Sequence, residues 1–142
     1  MKDNSVNILL VEDDEVDAMN VKRAFKKTNI CNPLFHAGNG LEALDMLRGT
    51  GGVEKIIPKP RIILLDLNMP RMNGIEFLHE LRADPELHDI SVVVLTTSNE
   101  ERDKVAAYNL NVAGYILKPV EPERFIEAIG TLNLYWNLIE LP

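Results

Sequence analysis

The chain has 142 residues, 46% of them hydrophobic, and one cysteine. That size fits a single domain with a sizeable core, and the aliphatic content excludes an intrinsically disordered chain. A net charge of −7, from 22 acidic and 15 basic residues, argues against the basic stripe of a nucleic-acid binder and against an anionic membrane surface. The start, Met1-Lys2-Asp3-Asn4, leads into no signal-peptide pattern, and no apolar run approaches a membrane span. Cys31 has no partner for an internal disulfide and suits a reducing compartment. The expectation is a soluble cytoplasmic protein that binds neither nucleic acid nor membrane.

In chain order, Val6 to Val11 is an apolar run of strand length. Asp14 to Lys27 carries Ala18, Val21 and Phe25 at helical spacing. Asp14 is read as the helix N-cap, with Asp17 as a substitute for the capping-box glutamate. Pro33 to Ala37 is a weaker strand, and Gly40 to Arg48, with Leu41, Leu44 and Leu47, a second helix. Gly49 to Pro60 is too rich in glycine and proline for a regular element and is expected to be a surface loop. Ile62 to Leu65 is a third strand, followed by a helix from Met72 to Ala83. Val92 to Leu95 is a fourth strand, followed by a helix from Asn99 to Leu110. Ala113 to Leu117 is the fifth strand, and Phe125, Ile129, Leu132 and Trp136 mark a last helix beginning near Glu121. Five strand–helix alternations imply right-handed crossovers, hence an α/β domain with a doubly wound parallel sheet.

The polar residues that follow the strands form a pattern. The first strand ends in Glu12-Asp13-Asp14, the third in Asp66, the fourth in Thr96 and the fifth in Lys118-Pro119. In a parallel sheet these ends share one edge, where open α/β sheets bind their ligands. Clustered carboxylates resist joint ionisation unless a cation joins them. Hard oxygen ligands with no Cys or His beside them fit Mg²⁺. His36, His79 and His88 form no pair at metal-ligand spacing. A carboxylate so placed can attack phosphorus and form an aspartyl phosphate. Charge neutralisation by Mg²⁺ and Lys118, with a hydrogen bond from Thr96, is what such a transfer needs.

With VEDD at 11–14, D-x-N-x-P-x-x-x-G at 66–74, LT at 95–96 and Y-x-x-K-P at 115–119, the chain resembles the receiver domain of two-component response regulators over roughly residues 5–130. The resemblance implies a flavodoxin-like (βα)5 fold with strand order 2-1-3-4-5. It implies Asp66 as phosphoacceptor, Asp13 as direct Mg²⁺ ligand, Glu12 as a ligand through water, and Asn68 as a ligand through its backbone carbonyl. Lys118 would bind the phosphoryl oxygens, and Thr96 and Tyr115 would form the switch pair. It also implies a cis Lys118–Pro119 bond. Glu12 stands where the family more often has Asp, and Thr97 follows the switch threonine where it often has a smaller residue.

The chain ends at Pro142 without an output domain, so a stand-alone regulator is expected, with residues 131–142 as an extension of one domain spanning 1–142. The loop at 49–60, LTTSNEERD at 95–103 and YWNLIELP at 135–142 resemble the small regulators paired with bacterial and cyanobacterial phytochrome kinases. A light-sensing histidine kinase is the partner this implies. Leu134, Tyr135 and Leu138 lie off the last helix's apolar stripe and are expected to hold a homodimer. The competing reading is a Mg²⁺-dependent phosphatase of the haloacid dehalogenase type. That class uses a second Asp two residues after the nucleophile, where this chain has Asn68.

Overall fold

Five short aliphatic strands build the molecule outward from its middle. The computed structural model describes residues 6–131, with side chains described as far as residue 127. The strands are β1 (Ile8–Val11), β2 (Leu34–Ala37), β3 (Ile62–Asp66), β4 (Ser91–Thr96) and β5 (Gly114–Leu117). The helices are α1 (Glu15–Lys27), α2 (Gly40–Arg48), α3 (Gly74–Ala83), α4 (Asn99–Ala107) and α5 (Pro122–Thr131). Every pairing is parallel and the order is β2-β1-β3-β4-β5, the doubly wound, flavodoxin-like arrangement expected from the sequence. Among the described residues no helix is long and apolar enough to cross a membrane.

Side-chain alternation along the strands sorts the core into two layers. Leu9, Val11, Ile63, Leu65, Val92 and Val94 pack with Ala43, Leu47, Phe77, Leu81 and Val105, which places α2, α3 and α4 on one face. Ile8, Leu10, Ile62, Leu64, Val93, Leu95 and Ile116 pack with Ala18, Val21, Phe25 and Phe125, which places α1 and α5 on the other. Phe25 and Phe125 meet with ring centroids 4.8 Å apart and join the two helices of that layer.

Some boundaries differ from expectation. The helix expected from Met72 begins at Gly74, because Asn73 takes the N-cap and exchanges hydrogen bonds with Glu76 in a capping box. The helix expected to reach Leu110 stops at Ala107, where Asn109 (φ 53°) turns the chain into the left-handed region that asparagine tolerates. The 49–60 segment is a loop, anchored by buried Ile56, whose N–H donates to Met46 O, and by Asn7 Nδ2 donating to Pro58 O. Cys31, His79 and His88 are exposed. The expected dimer contacts Leu134, Tyr135 and Leu138 lie outside the described residues.

Gly74 couples the sheet edge to α3. Its N–H donates to Leu67 O at 3.0 Å. A Cβ there would stand 2.5 Å from Asp66 O and 2.8 Å from Leu67 Cα, with backbone atoms that cannot turn aside. Gly74→Ala is therefore expected to destabilise the fold by about 1–3 kcal/mol despite the better helix propensity of alanine. Gly38→Ala, where a Cβ meets nothing within 4 Å, should stay within about 0.5 kcal/mol of wild type. Urea unfolding of the two variants checks the contrast.

Candidate functional site

The strand ends meet as a parallel sheet requires. β1 and β3 are paired in register up to Val11 and Leu65, so Glu12 and Asp66 leave the ladder side by side. Asp66 itself pairs with Leu95, and Thr96 pairs with Leu117, so each strand brings its polar residue to the same edge. Lys118 N–H donates to Thr96 O at 2.7 Å and ties the turn after β5 to the end of β4. The Lys118–Pro119 bond that follows is cis, as is Ile57–Pro58.

One ammonium group organises the cluster. Lys118 Nζ lies 2.7 Å from Asp66 Oδ1, 2.9 Å from Asp17 Oδ2 and 3.0 Å from Glu12 Oε1, and its side chain is only 11% exposed. Glu12 and Asp66 are buried. Glu12 Oε1, although beside the ammonium, has no hydrogen bond of good geometry, and its other oxygen accepts from the Asp14 N–H at 3.2 Å. Burial, with the neighbouring Asp66 charge adding to it, pushes the Glu12 carboxyl up to about 7. Burial also raises Asp66, against the opposing effect of Lys118. Burial alone pulls the Lys118 ammonium down, but its contacts with Asp66, Asp17 and Glu12 outweigh it and the net shift is upward.

Asp13 is the carboxylate that the lysine does not reach. It is exposed, and among the described residues it makes no ion pair. One oxygen each of Glu12, Asp13 and Asp66 can be chosen so that all three lie within 4.8 Å of one another. Four carboxylates face one ammonium here. An all-oxygen donor set, an excess of negative charge and the orphaned Glu12 Oε1 fit a divalent cation of the hard, oxygen-preferring kind.

The remaining expected residues are distributed around this centre. Asn68 is exposed, and its side-chain amide donates to Glu101 of α4. Thr96 is buried. Tyr115 is half-buried, with the Arg102 guanidinium 5.0 Å from its ring centroid. Asp14 is the N-cap of α1, accepting from the Val16 and Asp17 N–H groups. The capping-box reading of Asp17 is corrected. The Asp14 N–H is already used by Glu12, and the Asp17 carboxylate reaches Lys118 instead.

Two residues of this neighbourhood were not singled out from the sequence. Glu101 accepts from both the Thr97 N–H and Asn68, so it links α4 to the loop after β3. His36 Nε2 is 2.7 Å from Glu12 O and supports the turn after β1. The paired arrangement of Ser98 and Glu101 was visible as a cap signal in the sequence; nothing marked His36.

A sequence profile of the response regulator receiver domain matches residues 8–130. The response regulator Rcp1 of Synechocystis sp. is 38% identical over 136 residues, covering 95% of this chain and 92% of its own. A crystal structure of the Mn²⁺-bound form of Rcp1 superposes with a TM-score of 0.74 at 37% identity, covering 96% of this chain and 97% of that one. The bacteriophytochrome response regulator RtBRR gives a TM-score of 0.89 at 38% identity, covering 97% and 84%. The phosphorylated cyanobacterial phytochrome response regulator RcpA gives 0.75 at 33%, covering 93% and 94%.

The raised Glu12 carboxyl makes stability depend on pH. Its folded value of about 7 exceeds the ordinary 4.5, so folding favours the protonated form. That contribution is complete below about pH 4.5 and is lost as the pH rises through 7. In chelator-treated protein, Glu12→Gln keeps the neutral form at every pH. The unfolding free energy of the variant relative to wild type should therefore rise between pH 5 and pH 8, by on the order of 2 kcal/mol. Millimolar Mg²⁺, which requires the ionised carboxylate, should reverse the order at pH 8. Denaturant titrations at the two pH values measure both effects.

Proposed function

The chain belongs to the response regulator receiver domain family, and from this premise we propose that it accepts a phosphoryl group on Asp66 from a sensor histidine kinase. The observation that carries this reading is the contact of Lys118 Nζ with Asp66 Oδ1 at 2.7 Å, beside Glu12 and within ligand reach of Asp13. Asp66 is then an acceptor of signal rather than the nucleophile of a turnover enzyme.

An Asp66 carboxylate oxygen attacks the phosphorus of a phosphohistidine in line with the P–N bond. The O–P bond forms as the P–N bond breaks, and its electron pair goes to the ring nitrogen. A ring protonated on its other nitrogen leaves as neutral imidazole. Water later attacks the acyl phosphate, returning the carboxylate and inorganic phosphate. Little covalent work falls to the protein; positioning and charge neutralisation dominate. Lys118 offers N–H donors to the transferring oxygens, and Thr96 offers a hydroxyl. Asp13 and Asp66 directly, Glu12 through water and Asn68 through its carbonyl would hold Mg²⁺. Bound there, the ion supplies two positive charges against the phosphoryl oxygens.

The output is a change of protein contacts, through movement of Thr96 and inward rotation of Tyr115. The similarity to RtBRR, and to RcpA, which is a phytochrome response regulator, supports a phytochrome-type kinase as the upstream partner. The cytoplasm as the site of action rests on the composition, and a homodimer on the apolar sequence around Leu134, Tyr135 and Leu138. Light scattering of the full chain and of a chain ending at Thr131 tests the dimer, with loss of the dimer on truncation expected.

Incubation with acetyl phosphate and Mg²⁺, followed by peptide mass spectrometry, should place a base-labile phosphoryl group on Asp66. Asp66→Asn should remove it, and a modification that persists in that variant would sink the assignment. Asp13→Ala should weaken Mg²⁺ binding by at least about tenfold and slow phosphorylation in parallel. An unchanged Mg²⁺ titration in that variant would remove Asp13 from the metal site.

A further inference from the structure

The first turn of α1 sends a carboxylate into the site that the assigned roles do not use. Alternation along β1, β3 and β5 runs Ile8-Leu10-Glu12, Ile62-Leu64-Asp66 and Ile116-Lys118, and the apolar members of all three series belong to the layer covered by α1 and α5. The acceptor, the lysine and Glu12 thus emerge on the side of the sheet where α1 begins. Asp17, in the first turn of that helix, donates its backbone N–H to Asp14 Oδ1, so the cap is closed without its side chain. The Asp17 carboxylate accepts from Lys118 Nζ at 2.9 Å, across 101 residues of sequence.

An ammonium has three N–H donors. Here two of them donate to Asp66 and Asp17, and Glu12 Oε1 lies 3.0 Å away as an ion pair. A phosphoryl group arriving at Asp66 brings oxygens that need those donors. Asp66 surrenders its claim when its carboxylate becomes an acyl phosphate. Asp17 does not react, keeps its charge, and goes on holding the ammonium on the α1 side. It also faces the incoming dianion with one more negative charge.

We infer that Asp17 is a positioning residue that restrains the Lys118 ammonium and thereby slows transfer of the phosphoryl group onto Asp66. This deepens the proposed function and rests on it. Asp17 competes with the phosphoryl oxygens for Lys118, so its neutralisation frees a donor and lowers the repulsion at once. An amide oxygen in place of the carboxylate keeps an acceptor but removes the ion-pair attraction to the ammonium. Asp17→Asn therefore weakens the restraint while keeping size and shape.

The test measures phosphorylation of Asp66 by acetyl phosphate at saturating Mg²⁺, by intact-protein mass spectrometry, in wild type, Asp17→Asn, Asp17→Ala, Lys118→Gln and the double variant Asp17→Asn/Lys118→Gln. Asp17→Asn and Asp17→Ala should react roughly three- to tenfold faster than wild type, in the range of electrostatic effects on association with a charged site. Asp17→Glu, which restores the charge, should return the rate toward wild type. In the Lys118→Gln background the same Asn substitution should accelerate the reaction by less than about twofold, the share left to direct repulsion, because the larger share runs through the lysine. A rate in Asp17→Asn equal to or below that of wild type overturns the inference while leaving Asp66 as the acceptor. An equal acceleration with and without Lys118 also overturns it, since Asp17 would then act only through bulk charge. Absence of any phosphoryl adduct at Asp66 in the wild type overturns the proposed function itself.

Discussion

A single largely covered ammonium set among carboxylates governs the arrangement of this molecule. Lys118 lies within 3.0 Å of Asp66, Asp17 and Glu12. Removing two carboxylates and a lysine from water is expensive, and only good geometry offsets it. That geometry comes from residues 12, 66 and 118, far apart in sequence, and only the parallel ladder brings them together. A slip of one residue in the β1–β3 register would turn Glu12 or Asp66 to the opposite face. The continuous aliphatic cores of β1 and β3, buried on both faces, pin that register from above and below.

The two faces of the sheet divide the labour at its edge. Glu12, Asp66 and Lys118 continue the series packed by α1 and α5. Thr96 continues the series Val92-Val94, which belongs to the layer of α2, α3 and α4, and Tyr115 packs against that same layer. Thr96, at the end of β4, therefore lies between the strands that deliver Asp66 and Lys118. The Lys118 N–H bond to Thr96 O ties the lysine's turn to the end of β4.

Much of this arrangement was legible in the sequence. Runs such as IILL before Asp66 and VVVL before Thr96 announce buried parallel strands, and a parallel sheet gathers whatever follows them. Glu12, Asp13, Asp66, Thr96 and Lys118 could therefore be grouped before any coordinates were known. Asp17 could not, because its partner depends on the rotation of α1 about its axis and on where β5 ends. Its spacing from Asp14 points to a local cap, but the Asp14 N–H is bonded to Glu12. Glu101 and His36 escaped for the same reason: each bonds a residue more than twenty positions away. Helix ends at Gly74 and Ala107 shifted by two or three residues because asparagines took the cap and the left-handed turn.

The helix starts show how one local rule serves both folding and chemistry. At α3, Asn73 caps and Glu76, three residues on, returns to the Asn73 N–H, which closes the box and uses both side chains locally. At α2, Asn39 caps and Glu42 reaches the Gly38 N–H, again within the turn. At α1, the helix that opens onto the charged centre, the pattern differs. Asp14 caps as expected, but Asp17 reaches outward to Lys118; at α4 Ser98 caps, and Glu101 accepts from the Thr97 N–H within the turn while also reaching Asn68. At α1, Asp14 and Glu12 close the start, which frees Asp17 for a long-range contact. Local rules are broken where function needs the side chain elsewhere. An acid at the third position whose partner N–H is already taken is therefore a physical pointer to the site, as Asp17 shows.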